Sequence, residues 1–202
     1  MKQFRIRRYL EVSPAFVALL CAYFYFDPAQ TFLPFLFAMT LHEAGHLLAL
    51  RCMRAQVHKI SFHLSGAVIH TQTLSYQKEL LAAAAGPAVN ALCTAVFLHR
   101  DPRFALVNLL LLGYNLLPFY PMDGGRVLRA LLHLLLPDAA ATIVERMIVI
   151  AGLLSLAAFS CYLTCVWHAG LWPVILCGLL LLRVAGTIFP ACRRRRCTTC
   201  FF

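Results

Sequence analysis

From Ile148 to Trp167 the sequence runs for twenty residues without a charged side chain, and from Leu10 to Phe26 Glu11 is the single charge. Such runs suit a lipid solvent. A helix rises about 1.5 Å per residue, so roughly 20 apolar residues match the hydrocarbon thickness of a bilayer. The composition agrees, with 61% apolar residues, 13% charged residues and a mean hydropathy of +0.76. A water-soluble domain has about a quarter of its residues charged. A soluble enzyme, a disordered chain and a small disulfide-stapled secreted domain are excluded, and the expected class is an all-α polytopic membrane protein. The formal charge of +10 is not read as a nucleic-acid footprint. Its basic residues sit at the chain ends and between apolar segments, where the positive-inside rule places them.

Six transmembrane helices are expected, at approximately Tyr9 to Phe26, Thr31 to Leu50, Glu79 to Leu98, Phe104 to Leu117, Ile143 to Trp167 and Leu171 to Phe189. The fourth is short, broken by Pro118 and Pro121 before an amphipathic continuation from Gly125 to Leu136. Lys2, Arg5, Arg7 and Arg8 precede the first span, Arg51, Arg54 and Lys59 follow the second, Arg126 and Arg129 the fourth, and Arg193 to Arg196 the sixth. All four clusters fall on one side, so both termini are expected in the cytosol of an integral protein of the cell membrane. Between the second and third spans Ile60, Phe62 and Leu64 alternate with Ser61, His63 and Ser65, and Ala67 to Thr71 follow Gly66, a small β-hairpin pattern. Residues 1–190 form a single membrane domain with a core at about 31–130, and 191–202 form a basic tail. Of nine cysteines, Cys21, Cys93, Cys161, Cys165 and Cys177 lie in apolar segments as small hydrophobes, while Cys192, Cys197 and Cys200 of the tail are expected as reduced cytosolic thiols. The charged start and first apolar run lack a small-residue cleavage site and are expected to stay as a membrane segment.

The second span contains His42-Glu43-Ala44-Gly45-His46. Imidazoles at i and i+4 share a helix face and can hold one metal ion, with the glutamate alongside to take a proton from a bound water. At this chain's histidine and glutamate frequencies about 0.006 chance matches are expected. Two histidines and a glutamate satisfied by neighbouring helices are the bland alternative, weakened because an ionisable group in a bilayer costs about 2.5–3.5 kcal/mol even on lenient scales.

A catalytic zinc needs a third protein ligand and an open position for water. Asp123 stands out among the acidic residues in or beside spans, because Pro121-Met122-Asp123-Gly124-Gly125-Arg126 disrupts a helix and begins another, whose N-terminal dipole favours a carboxylate. His63, His70 and His133 are alternatives. His42 lies about 17 Å beyond Thr31, past the midplane toward the cytosolic end, and Asp123 ends the fourth span on that same side. Both ligand sets therefore share the cytosolic leaflet.

Three segments in order, His42 to His46, Ala85-Gly86-Pro87-Ala88-Val89-Asn90 and Asn115-Leu116-Leu117-Pro118-Phe119-Tyr120-Pro121-Met122-Asp123-Gly124-Gly125-Arg126, resemble the three signatures of the site-2 protease family of intramembrane zinc metalloproteases. The branch with the bacterial stage four sporulation protease, which cleaves the inactive precursor of a sigma factor, is the most similar. The resemblance implies six spans, one zinc held by His42, His46 and Asp123, Glu43 as general base, Asn115 holding the substrate strand, and the hairpin near Gly66 as a membrane-entering loop beside the site. It also implies a transmembrane or membrane-associated protein substrate and an inhibitory membrane partner. No PDZ-like insertion and no cystathionine-synthase-type domain is present in this sequence, so nucleotide regulation through such a domain is not expected.

A peptide bond in a transmembrane helix is shielded by its own hydrogen bonds, so the substrate must unwind and find replacement partners. The strand edge from Ile60 to Leu64 and the amides of Asn115 or Asn90 are the candidates. Asn90 could equally be a structural contact between helices beside Gly86. The rival from another class is a transporter whose intramembrane histidines bind an ion. It needs a polar path, and beyond this constellation the spans offer scattered Ser and Thr and one Arg183. Serine and aspartyl intramembrane proteases lack their required groups here.

Overall fold

The computed structural model of the chain describes residues 10–27, 30–63, 66–120 and 122–166, scattered positions between 173 and 184, and 199–201. The span expected from Leu171 to Phe189 falls largely outside the described residues, as do Cys192 and Cys197. In chain order the elements are β1 (Leu10–Val12), α1 (Pro14–Tyr25), α2 (Phe32–Cys52), β2 (Val57–His63), β3 (Gly66–Thr71), α3 (Tyr76–Phe97), α4 (Pro102–Asn115), α5 (Asp123–Leu135), α6 (Asp138–Cys165) and β4 (Thr199–Phe201). The protein is mainly helical, with one small sheet.

The first expected span opens as a strand. Proline suits the first turn of a helix and cannot continue one begun earlier, so α1 starts at Pro14 after an extended Ser13 and runs 12 residues. That is short for a bilayer crossing. The turn into α2 is tied by Asp27, whose carboxylate accepts from the Phe32 backbone N–H at 2.6 Å and from the Thr31 hydroxyl at 2.9 Å. Asp101 caps α4 in the same way, accepting from Phe104 N at 3.1 Å.

Helix α3 is central, packing on α2, α4 and α5, and α6 packs on α5. Among the described residues α2, α3 and α6 are long and apolar enough to cross a membrane. Leu33, Leu81, Leu110, Met147 and Leu154 lie exposed on the outer faces, which water would penalise and lipid does not.

The expected hairpin forms, with β2 and β3 antiparallel and His63 opposite Gly66. It is the middle of a four-stranded sheet in the order β1-β2-β3-β4. β1 runs parallel to β2, pairing Leu10 with Ile60 and Val12 with Phe62. β4 runs antiparallel to β3, pairing Phe201 with Ile69 and Thr199 with Thr71. The outer edge of Ile60–Phe62, expected to be open to a substrate strand, is therefore covered. Val57 and Ile69 bury one face of the hairpin against Leu50, Ala55 and Ala82, which fixes the sheet against the ends of α2 and α3.

Candidate metal centre

His42 lies about 15 Å from the start of α2 at 1.5 Å per residue, midway along that helix. Its ring and that of His46 meet edge to face, 4.8 Å between centroids, as the i, i+4 spacing dictates. Close approach of α3 walls the pair in. A Cβ at Gly45 would stand 2.9 Å from Ala85 O and 2.8 Å from Val89 Cγ2, and one at Gly86 would overlap His46 Nε2. Glycine at both positions lets the backbones come together.

Asp123 arrives on the first turn of α5. The chain between α4 and α5 folds tightly over that turn: a Cβ on Gly124 would overlap Leu116 O, and one on Gly125 would sit 2.6 Å from Phe119 O. The two glycines thus let the helix start beneath its own approach loop and bring the carboxylate inward.

The three side chains converge. Asp123 Oδ2 is 3.1 Å from both His42 Nε2 and His46 Nε2, which are 3.2 Å apart, and all three residues are buried. Tetrahedral zinc with bonds of about 2.0–2.2 Å has donor–donor edges near 3.3–3.6 Å, so this triangle is slightly tighter than one face of such a tetrahedron. The donor chemistry agrees. His46 Nδ1 donates to Ala82 O at 2.7 Å, leaving a lone pair at Nε2 toward the carboxylate, an arrangement that calls for a cation at the centre. Among the described residues these are the side chains grouped closely enough to hold an ion.

Glu43, partly buried one residue after His42, has a carboxylate oxygen, Oε2, without a hydrogen-bond partner and lies within electrostatic reach of His46, Asp123 and Arg126. Asn90 is fully buried with its amide 3.0 Å from His42 Nδ1, behind the imidazole. Asn115 is buried at the last residue of α4, and Gly66 begins β3. His133 is engaged elsewhere, stacked on Tyr76 at 4.7 Å and 2.8 Å from Asp138. His70 lies in β3 opposite Lys59. His63 ends β2, and its side chain lies outside the description.

No protein-family model matches the chain. Over 117 residues it is 32% identical to a zinc metalloprotease of Methanocaldococcus jannaschii, an alignment covering 52% of this chain and 34% of that protein. The chain thus spans about a third of that relative's length. Its fold matches the solved site-2 protease of the same organism with a TM-score of 0.63 and 22% identity, covering 94% of this chain and 93% of the other. The chain shares the fold of that site-2 protease.

Sequence reasoning missed a buried arginine beside the metal centre, paired with Asp123 and Glu79. Arg126, read from the sequence as a topology signal, is buried, with Nη1 4.0 Å from Asp123 Oδ1 and Nε 3.8 Å from Glu79 Oε1. Its spacing of three from Asp123, which puts both on one helix face, was the available signal. Gly86 shows no role from its motif alone. Its spacing of four from both Ala82 and Asn90 marks one stripe along α3.

Proposed function

We propose that this chain is an intramembrane zinc metalloprotease that hydrolyses a peptide bond in or near a transmembrane segment of a membrane-associated protein. The observation that carries the reading is the triangle of His42 Nε2, His46 Nε2 and Asp123 Oδ2, midway along a helix apolar enough to cross a membrane. Two imidazoles and a carboxylate suit zinc with an open fourth position, and the matched relative is named a zinc metalloprotease. Bound there, zinc would supply the Lewis acidity that lets water act as a nucleophile near neutral pH. Glu43 Oε2, free of other hydrogen bonds, takes the proton of the attacking water and can return it to the leaving amine. Arg126 holds the outer oxygen of Asp123 by charge, so that Oδ2 keeps facing the histidines.

The substrate must unwind before its carbonyl can reach this site, because helix hydrogen bonds shield it. The Asn115 amide is assigned to the unwound strand, and the hairpin that turns before Gly66 to the wall beside it. With β1 on β2 and β4 on β3, a substrate strand that adds to the sheet exchanges with one of them. Six spans are supported by the apolar runs of the sequence, and cytosolic termini with a site in the cytosolic leaflet by the one-sided basic clusters, Arg126 aside. Similarity of the three motifs to the sporulation branch supports a sigma-factor precursor or anti-sigma factor as substrate, with an inhibitory membrane partner.

Purified protein in detergent is expected to hold one zinc and cleave a transmembrane peptide, and Glu43→Gln to keep zinc and lose turnover. A wild type that binds no zinc, or Glu43→Gln that cleaves as well as wild type, sinks the reading. Ion flux that persists in Glu43→Gln without any cleavage would identify a transporter instead.

A further inference from the structure

We infer that Asn90 is a positioning residue of the metal centre: its side-chain oxygen accepts a hydrogen bond from His42 Nδ1 and holds that imidazole in the tautomer whose Nε2 lone pair faces Asp123. This role rests on the metal reading proposed above. Ala82, Gly86 and Asn90 recur every four residues, so they form one stripe on α3. Between them they meet both imidazoles. The Ala82 carbonyl accepts from His46 Nδ1 at 2.7 Å. Gly86 clears the rings, since a Cβ there would be 2.8 Å from His42 Cε1. At Asn90 the amide atom 3.0 Å from His42 Nδ1 is Nδ2 as the side chain stands in the structure.

The amide can face that nitrogen in two ways, because its oxygen and nitrogen are nearly the same in shape. With Nδ2 toward the ring, His42 Nδ1 must accept and the ring proton must sit on Nε2. There it would block ligation, pointing among His46 Nε2 at 3.2 Å and Asp123 Oδ2 at 3.1 Å. In that orientation the buried Oδ1 has no hydrogen-bond partner, so the contact with the imidazole decides which way the amide faces. Turned over, Oδ1 accepts from Nδ1–H and both imidazoles offer lone pairs to the same point. The two histidines are then oriented alike from α3, one by a main-chain carbonyl and one by a side chain, as metal-ligating histidines generally require.

Asn90→Leu and Asn90→Asp keep the size of the side chain, and the second keeps the acceptor. Zinc affinity of the full chain in detergent, measured by competition with a chromogenic chelator, should fall about 10- to 100-fold in Asn90→Leu. In Asn90→Asp it should stay at or above wild type. Wild-type affinity in Asn90→Leu overturns the role. Affinity in Asn90→Asp as weak as in Asn90→Leu also overturns it, because an amide that donates to Nδ1 cannot be replaced by a carboxylate; this variant carries the test alone should the leucine variant fail to fold. Absence of zinc from wild type would instead overturn the metal reading itself, and His46→Ala, expected to lose zinc whatever Asn90 does, separates the two failures.

Discussion

Gly86→Ala tests the site through one added methyl group. The new Cβ would overlap His46 Nε2 and stand 2.6 Å from His46 Cε1 and 2.8 Å from His42 Cε1, where carbon contacts prefer about 3.5–4.0 Å. Relief of about 1 Å must come from somewhere. Moving α3 away from α2 is costly, because the glycine crossing at Gly45 is what allows their close contact. Overpacking of this kind costs about 1–3 kcal/mol, and the movable groups nearest the methyl are the two ligand rings. If the strain appears as ligand displacement, zinc affinity falls about 5- to 150-fold, at 1.4 kcal/mol per factor of ten. Alanine also favours helix over glycine by about 1 kcal/mol, so the metal-free protein should lose little thermal stability while zinc affinity drops. Gly113→Ala, in α4 with open space around its Cβ, is the control and should leave zinc unchanged. Chelator competition and thermal unfolding on the same preparations give both numbers. Wild-type zinc affinity in Gly86→Ala would refute the packing of α3 against the imidazoles.

Arg126→Met leaves the buried Asp123 and the partly buried Glu79 without their shared cation and should cost up to about 3–5 kcal/mol, read from the thermal midpoint. Adding Glu79→Gln should recover part of that loss, and a double variant no more stable than the single would show that the two residues are not coupled. Asp123→Asn exchanges an anionic for a neutral donor and should weaken zinc retention, whereas Asp138→Asn, whose side chain bonds to His133, should retain zinc as wild type does. Equal zinc in Asp123→Asn and wild type would move the third ligand elsewhere. Gly152→Ala brings a Cβ to 2.9 Å from Phe119 Cε1, so unfolding should come at lower temperature by an overpacking cost of about 1–3 kcal/mol. Since this contact lies in the packing of Phe119 with Val149 and Met122, zinc affinity should be unaffected, and its loss would tie that cluster to the metal centre.

What could be read from sequence was what short spacing encodes. Two imidazoles at i and i+4 must share a helix face, so the histidine pair was legible, and a carboxylate beside Gly124 and Gly125 at a broken helix drew notice to Asp123. The burial of Arg126 was legible only through its spacing of three from Asp123. Counting basic residues between apolar segments assigns topology without regard to depth, and a buried arginine counts like an exposed one. The terminal strands were hidden for a related reason. Leu10 and Val12 are apolar enough to read as part of the first span, although Pro14 already marked where that helix had to begin, and a three-residue strand such as β4 has too little periodicity to register.

The contact between Asn90 and His42 needed a different kind of information. α3 is apolar on nearly every side, so its sequence does not announce which face meets α2, and forty-eight residues separate the two side chains. Their meeting depends on the rotation of one helix against another. What fixes that rotation is a set of small residues: Gly45 lets Ala85 and Val89 approach, Gly86 admits the rings, and Ala82, fully buried, offers its carbonyl within reach. In water an apolar core would be driven together by hydrophobic burial, but lipid supplies no such drive between helices, and packing with interhelical hydrogen bonds has to replace it. The residues that bring α2 and α3 together are thus the same ones that shape and orient the imidazoles. Substitutions on this stripe that crowd the rings, as at Gly86, or remove the acceptor, as in Asn90→Leu, should therefore disturb metal geometry, whereas those on the exposed Leu81 and Leu92 of α3 should not.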